Sequence, residues 1–254
     1  MSASILEVAA NSVASAFAAE AGGAARVELC SALEVGGLTP SHATIAIARE
    51  RLGIPVHVLI RPRAGDFVFD DLECEVMQRD IETCKALDCA GVVLGVLDAD
   101  GEVDVSRCRA LMDAACGLSV TFHRAFDFAC DPERALETVI ALGCDRLLTS
   151  GQAAHALAGA ETIHKLIERA RGRIAIMPGG GIDAHNIAAV AQATGAREFH
   201  ASAKVRVADR MRHAGISGMG GGDWQTDAAE VRARVEALRT LASSAHPTDR
   251  NLPR

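Results

Sequence analysis

The pattern that recurs most often in this chain, and so constrains its fold most, is a short apolar run ending in chemically active residues. The stretch Ser119 to Asp127 reads Ser-Val-Thr-Phe-His-Arg-Ala-Phe-Asp, a strand running straight into an imidazole, a guanidinium and a carboxylate. Comparable junctions stand at Ile5-Leu6-Glu7, Arg26 to Cys30, Val56 to Arg61, Arg146 to Gly151, Ile174 to Gly181 and Glu198 to Ser202. The nearly continuous apolar run Gly91 to Leu97 adds a further strand. Strands that are apolar along their length and polar at their far end belong to a parallel sheet whose C-terminal edge is the working face.

Between these strands the sequence starts and stops helices. Ser12 can cap a helix over residues 13–21 that Gly22 and Gly23 end, and Thr39-Pro40 offers a cap and a first-turn proline for a helix that Gly53 ends. Asp70 with Glu73 reads as a capping box opening a helix to about Leu87, and a fourth helix spans about Ser106 to Ala115. Asp131-Pro132 opens a helix closed by Gly143. Asp183 is expected to cap a helix reaching Thr194, and an amphipathic helix runs from about Thr226 to Leu241. Eight strands alternating with helices predict an α/β fold, a parallel (β/α)8 TIM barrel forming one domain over residues 1–242. A doubly wound sheet is the alternative, but the glycine signature of its dinucleotide-binding forms is missing. Residues 243–254 lack apolar periodicity and are expected to form a disordered tail.

Charge removes several classes of function. The net charge of −7 and the absence of a Lys/Arg block beside an amphipathic face predict no nucleic-acid partner and no membrane partner. The first residues carry no basic leader and place Glu7 where a signal peptide needs apolar residues, so a cytoplasmic location is expected. Eight scattered cysteines with no CxxC spacing read as reduced thiols.

Residues two apart on a strand share a face, which groups Glu28 with Cys30, His57 with Leu59 and Arg61, Thr121 with His123, and Glu198 with His200 and Ser202. If these faces point inward, the upper barrel is polar. In the structural reading, Glu7 and Glu28 neutralise Arg61 and a histidine. In the catalytic reading, Glu28 and His123 move protons, Arg61 and Arg124 stabilise charge, and Glu7 and His200 complete the set.

A substrate anion would then meet Gly179, Gly180, Gly181 and Ser202, with Lys204 and Arg206 beyond, where barrels often bind phosphate; a tight turn into the helix is the plainer account of the three glycines. Arg63, in a loop longer than a connection needs, and Asp127, Ser150 and Gly151 at strand ends are further candidates for the substrate. Lysines occur only at 85, 165 and 204, so strands one to seven offer no Schiff-base lysine, and no zinc motif is present. Cys30 and Cys130 could both lie at the mouth, where a soft cation such as Cu(I) would favour them.

Arg26-Val27-Glu28-Leu29-Cys30-Ser31 with Gly36-Gly37-Leu38-Thr39-Pro40, and Ile54-Pro55-Val56-His57 with Ile60-Arg61-Pro62-Arg63 and Gly65-Asp66-Phe67, resemble the CutC family of copper homeostasis proteins. The resemblance continues through Gly95 to Leu97, Val120 to Asp127, Leu148 to Gln152, Met177 to Ile182 and Glu198 to Ala203, and covers roughly residues 5–240. It implies a TIM barrel, a cytoplasmic homo-oligomer (dimer or tetramer), and copper handling with Cu(I) held by cysteines. This chain has Ala9 where relatives often carry cysteine and Ala201 where some do, which removes two candidate soft ligands. Two expectations follow. One is a copper-binding homeostasis protein using Cys30 with Cys130, His123, His200 or a partner subunit's ligand. The other is an enzyme using Glu7, Glu28, Arg61, His123 and Arg124 on a small anionic or phosphorylated substrate.

Overall fold

A computed structural model describes residues 4–211, 213 and 222–244 and arranges the eight predicted strands as a ring. These are β1 (Ile5–Ala10), β2 (Arg26–Leu29), β3 (Val56–Leu59), β4 (Gly91–Leu94), β5 (Ser119–Phe122), β6 (Arg146–Thr149), β7 (Ala175–Pro178) and β8 (Glu198–Ala201). Each pairs in parallel with the next, from β1 through β7, and β1 also pairs in parallel with β8. A single parallel bridge, Gly179 to His200, joins β7 to β8 and completes the circle. The helices α1 (Val13–Ala21), α2 (His42–Arg51), α3 (Asp71–Ala86), α4 (Val105–Ala114), α5 (Pro132–Leu142), α6 (Ala160–Ala170), α7 (Ile187–Thr194) and α8 (Ala228–Ser244) alternate with the strands. The chain is a TIM barrel in one domain.

Strand alternation divides the molecule into two interiors. Leu6 and Val8 of β1, Val27 and Leu29 of β2, Val56 and Val58 of β3, Val92 and Leu94 of β4, and Phe122, Leu147, Ile176 and Phe199 belong to one large buried cluster with the helices. The residues between them face the barrel axis, and among the described residues the only buried apolar cluster there is Cys30, Leu59 and Val93, with Leu33 against it. Most of the remaining axis is filled by charge.

Several caps stand where the sequence puts them. Ser12 accepts the Ser15 N–H, and Asp70 and Glu73 form a reciprocal capping box. Asp131 caps α5, with Pro132 in its first turn and Gly143 at φ 87° closing it. Two caps differ. Ser41, not Thr39, caps α2; Thr39 instead donates from Oγ1 to the Arg61 carbonyl and accepts the Arg61 N–H at 2.9 Å, so it ties the loop after β2 to the end of β3. Asp183 accepts the N–H groups of His185 and Asn186 in a turn, and α7 begins only at Ile187.

Beyond β8 the structure adds an unpredicted antiparallel ribbon of β9 (Lys204–Val207) and β10 (Asp223–Thr226). Asn11 donates to the Trp224 carbonyl at 2.7 Å and Ser15 accepts the Thr226 N–H at 3.1 Å, which ties the ribbon to the start of α1. Within the expected tail, residues 243 and 244 continue α8, and residues 245–254 lie outside the described residues, as does Arg212. No described helix is long and apolar enough to cross a membrane.

Candidate functional site

Glu7 sits fully buried on the barrel axis, where an isolated carboxylate would be prohibitively costly. The Arg26 guanidinium pairs with its Oε2, and His200 Nδ1 lies 2.8 Å from its Oε1. Arg26 also reaches Glu198 at 3.0 Å, Glu198 binds Arg146 at 2.8 Å, and Arg146 donates to Ser119 Oγ at 2.7 Å. Two carboxylates and two guanidiniums thus form a neutral ladder across the barrel floor, in layers that other barrels fill with Val, Ile and Leu. Burial acts against the ionised form of Glu7, but the His200 hydrogen bond and the Arg26 charge outweigh it and hold its pKa far below the usual range. The expected pairing of Glu7 with Arg61 does not occur.

Above the floor the satisfaction stops. Glu28 is 6% exposed and its Oε2 has no hydrogen-bond partner. Burial, with the nearby Glu7 charge adding to it, pushes its pKa up to about 7. Burial disfavours the charged form of His200, yet the Glu28 and Glu7 carboxylates overcome this and raise its pKa. His57 is held neutral by burial, its pKa lowered to about 4, and its Nδ1 has no partner.

His123 is 5% exposed, and burial together with the Arg61 charge lowers its pKa to about 3. Its Nδ1 accepts the Ala125 N–H at 3.2 Å, so the neutral ring carries its proton on Nε2, which has no partner. Glycines on β4 and just after it make room for these rings. A Cβ on Gly95 would lie 2.6 Å from His123 Nδ1, and one on Gly91 would lie 2.8 Å from His57 Nε2.

Glu28, His123 and His200 open onto a cavity of about 780 Å³ at the C-terminal mouth, a size that suits a small molecule. A second groove, about 830 Å³ between α5 and α6, is an outer-surface feature whose Glu133, Glu137, Arg169 and Arg173 pair with one another.

Of the predicted site residues, Glu28, Arg61, His123, Arg124, His200, Gly180, Gly181 and Ser202 line the mouth cavity. Arg61 meets no carboxylate: its Nη atoms donate to the carbonyls of Val35, Gly37 and Gly65, and its plane covers the Phe67 ring at 4.9 Å. It ties the loop after β2 to the loop after β3.

Glu7 lies beneath the cavity. Asp127 lies behind it, accepting from Thr149 Oγ1, from the Ser150 N–H at 3.0 Å and from Arg124 Nε at 2.7 Å, so it orients Arg124 and the loop after β6. Ser150, Gly151 and Gly179 belong to the same backing layer. Arg63 points away to Glu73, Asp66 and the Phe69 ring, so the sequence placed it wrongly at the mouth. Arg206 stands over the Trp224 ring, outside the cavity lining. The apolar wall of Leu33, Val35, Phe67 and Phe128 went unpredicted, because single apolar residues in loops carry no periodicity.

The thiols do not assemble into a soft-metal site. Cys30 is wholly buried among Leu33, Leu59 and Val93, and burial, reinforced by the Glu28 charge, raises its pKa well above that of a free thiol. Cys130 is exposed, does not line the cavity, and lies 2.8 Å from Glu102. The one cluster of three candidate metal ligands among the described residues is Glu7, Glu28 and His200, within 4.8 Å of one another. Its oxygen and nitrogen donors suit a hard or borderline divalent cation, not Cu(I), and Arg26 already occupies one Glu7 oxygen.

Structural likeness to barrels of low identity reflects the fold alone. A phosphoribosylanthranilate isomerase from Thermotoga maritima matches at a TM-score of 0.57 with 13% identity, over 93% of this chain and 98% of that one. A CutC structure from Streptococcus agalactiae, described as a copper homeostasis protein, matches at a TM-score of 0.76 with 35% identity, over 78% of this chain and 98% of that one. A family protein CutC from Xanthomonas axonopodis pv. citri (strain 306) is 58% identical over 236 residues, 92% of this chain and 98% of that protein. One from Chromobacterium violaceum is 53% identical, over 92% of this chain and 98% of that protein. The CutC family model matches residues 4–205, a span containing every residue of the mouth described above, and the chain belongs to the CutC family.

Proposed function

We propose that this chain serves copper homeostasis, the role for which its Streptococcus agalactiae relative is named, and that its part is catalytic: proton transfer at the barrel mouth on a small anionic substrate. One observation carries the catalytic half. Glu28 is a buried carboxyl with an unpartnered oxygen, facing a cavity, and its pKa of about 7 lets it both take and give a proton near neutral pH. His123 supplies the complementary group. Its neutral ring presents Nε2–H as a donor to a substrate oxygen on which negative charge develops. The Glu7–His200 pair beside Glu28 restores the local charge balance as Glu28 changes state.

Direct Cu(I) binding is the second reading. It is favoured by the relative's name and by Cys30 packing beneath Leu33 and Leu59, two residues of the cavity wall. The same reading keeps the chain a cytoplasmic homo-oligomer of two or four copies, where eight free thiols persist reduced.

Growth under raised copper of a strain lacking the gene, complemented with variants, separates the two. The catalytic reading expects Glu28→Gln to fail and Cys30→Ala to succeed. Full rescue by Glu28→Gln, or tight one-to-one Cu(I) binding in an anaerobic chelator competition that Cys30→Ala abolishes, would overturn it.

A further inference from the structure

We infer that the mouth takes a molecule with an anionic group at one end and an apolar group at the other, laid across Glu28 and His123. This rests on the catalytic reading of the mouth and names the class of substrate.

The anionic end is set by the segments after β5, β7 and β8. Gly180 and Gly181 adopt φ of 96° and 67°, and a Cβ on Gly180 would lie 3.3 Å from the Arg124 guanidinium, so the bare backbone and the cation are packed together. The N–H groups of Gly181 and Ile182 make no hydrogen bond among the described residues. Arg124 uses Nε on Asp127 and Nη2 on Ser150 Oγ, which leaves Nη1 for a ligand. Lys204 pairs with no carboxylate among the described residues and rests on the Trp224 ring at 4.8 Å. Glu28 is the only carboxylate lining the cavity among the described residues, and Asp127 behind it offsets Arg124 alone, so with Lys204 this corner keeps a net positive charge in a chain of net charge −7.

The opposite side, built by the segments after β2 and β3 and by Phe128 at the far end of the turn after β5, is apolar. Leu33, Val35 and Leu59 line it with Phe67 and Phe128, whose ring centroids are 5.4 Å apart. Phe128 is 67% exposed, an unfavourable position for a ring that nothing covers. The one cation lining this side among the described residues is spent: Arg61 donates to the carbonyls of Val35, Gly37 and Gly65. His123, whose Nε2 has no partner, lines the same cavity with its ring 5.0 Å from Phe67.

The test is calorimetric titration of the full chain with three probes: phenyl phosphate, glycerol phosphate and inorganic phosphate. Phenyl phosphate is expected to bind about tenfold or more tightly than either other probe, the worth of covering one ring. Phe128→Ser, checked by thermal melting to be folded, is expected to bring phenyl phosphate down towards inorganic phosphate and leave the latter unchanged. Arg124→Ala combined with Lys204→Ala weakens all three. Glycerol phosphate binding as well as phenyl phosphate, no effect of Phe128→Ser, or no phenyl phosphate binding at millimolar concentration would each overturn the inference. Glu28→Gln separates the two ideas: full rescue of growth by a variant that still binds phenyl phosphate removes the chemistry and keeps the seat, whereas lost rescue in a protein that never binds it does the reverse.

Discussion

A carboxyl whose pKa is raised from 4.5 to about 7 by burial makes folding depend on pH in a definite direction. Between those values the folded state binds more protons at Glu28 than the unfolded state, so this residue's contribution falls as pH rises from about 4.5 to 7. Glu28→Gln removes that loss. In urea titrations it is expected to gain on the wild type by on the order of 3 kcal/mol between pH 5 and pH 8, and a constant difference would mean that Glu28 is not desolvated. His57 and His123 act the other way: their folded pKa values, about 4 and about 3, lie below the ordinary 6.5, so the stability they contribute is lost as pH falls through that window. The thiols give an independent check on burial. Exposed Cys116 and Cys130 are expected to react promptly with a thiol reagent in the native state, while Cys30, Cys84 and Cys108 react only on unfolding; prompt reaction at Cys30 would reopen the case for a thiolate site.

At the scale of elements, small residues set what can pack. Gly22 ends α1 where a Cβ would lie 2.5 Å from Val231 Cβ of α8, so Gly22→Ala is expected to push the last helix from the first and cost about 1–3 kcal/mol. On the barrel axis the floor ladder behaves as a unit: Arg26→Met strands Glu7 and is expected to cost about 3–5 kcal/mol, and a thermal melt within a few degrees of wild type would contradict that. These elements also show what the sequence made legible. Strand ends and caps are local signals, which is why Ser12, Asp70 and Asp131 were readable in advance. Asp183 and Thr39 misled because an Asx turn, or a loop tie to a neighbouring strand, uses the same side chains as a cap. The ribbon β9–β10 escaped because its two strands are 15 residues apart, with the connecting stretch rich in glycine.

For the whole molecule, the strand-end residues could be read from the sequence as a group at the C-terminal mouth, but not which charges oppose which. Glu28, Arg61, His123 and His200 were all named, yet the partner of Glu7 is Arg26, a strand-start residue whose role depends on register between strands and not on spacing within one. The mouth's cationic corner in an acidic protein has a salt signature: binding of a phosphate probe is expected to weaken as ionic strength rises from about 0.01 to about 0.2 M, and salt-independent binding would argue against Arg124 and Lys204 as the attracting groups. The circle itself is unevenly fastened. Every neighbouring pair of strands shares a run of paired residues except β7 and β8, which meet through the single bridge between Gly179 and His200. A ring with one thin seam breathes there first, so amide exchange is expected to be fastest along that line. Gly180 and Ser202 stand on either side of it. A ligand reaching both would act as a clasp, and the protein would feel its substrate as mechanical closure before any proton moves.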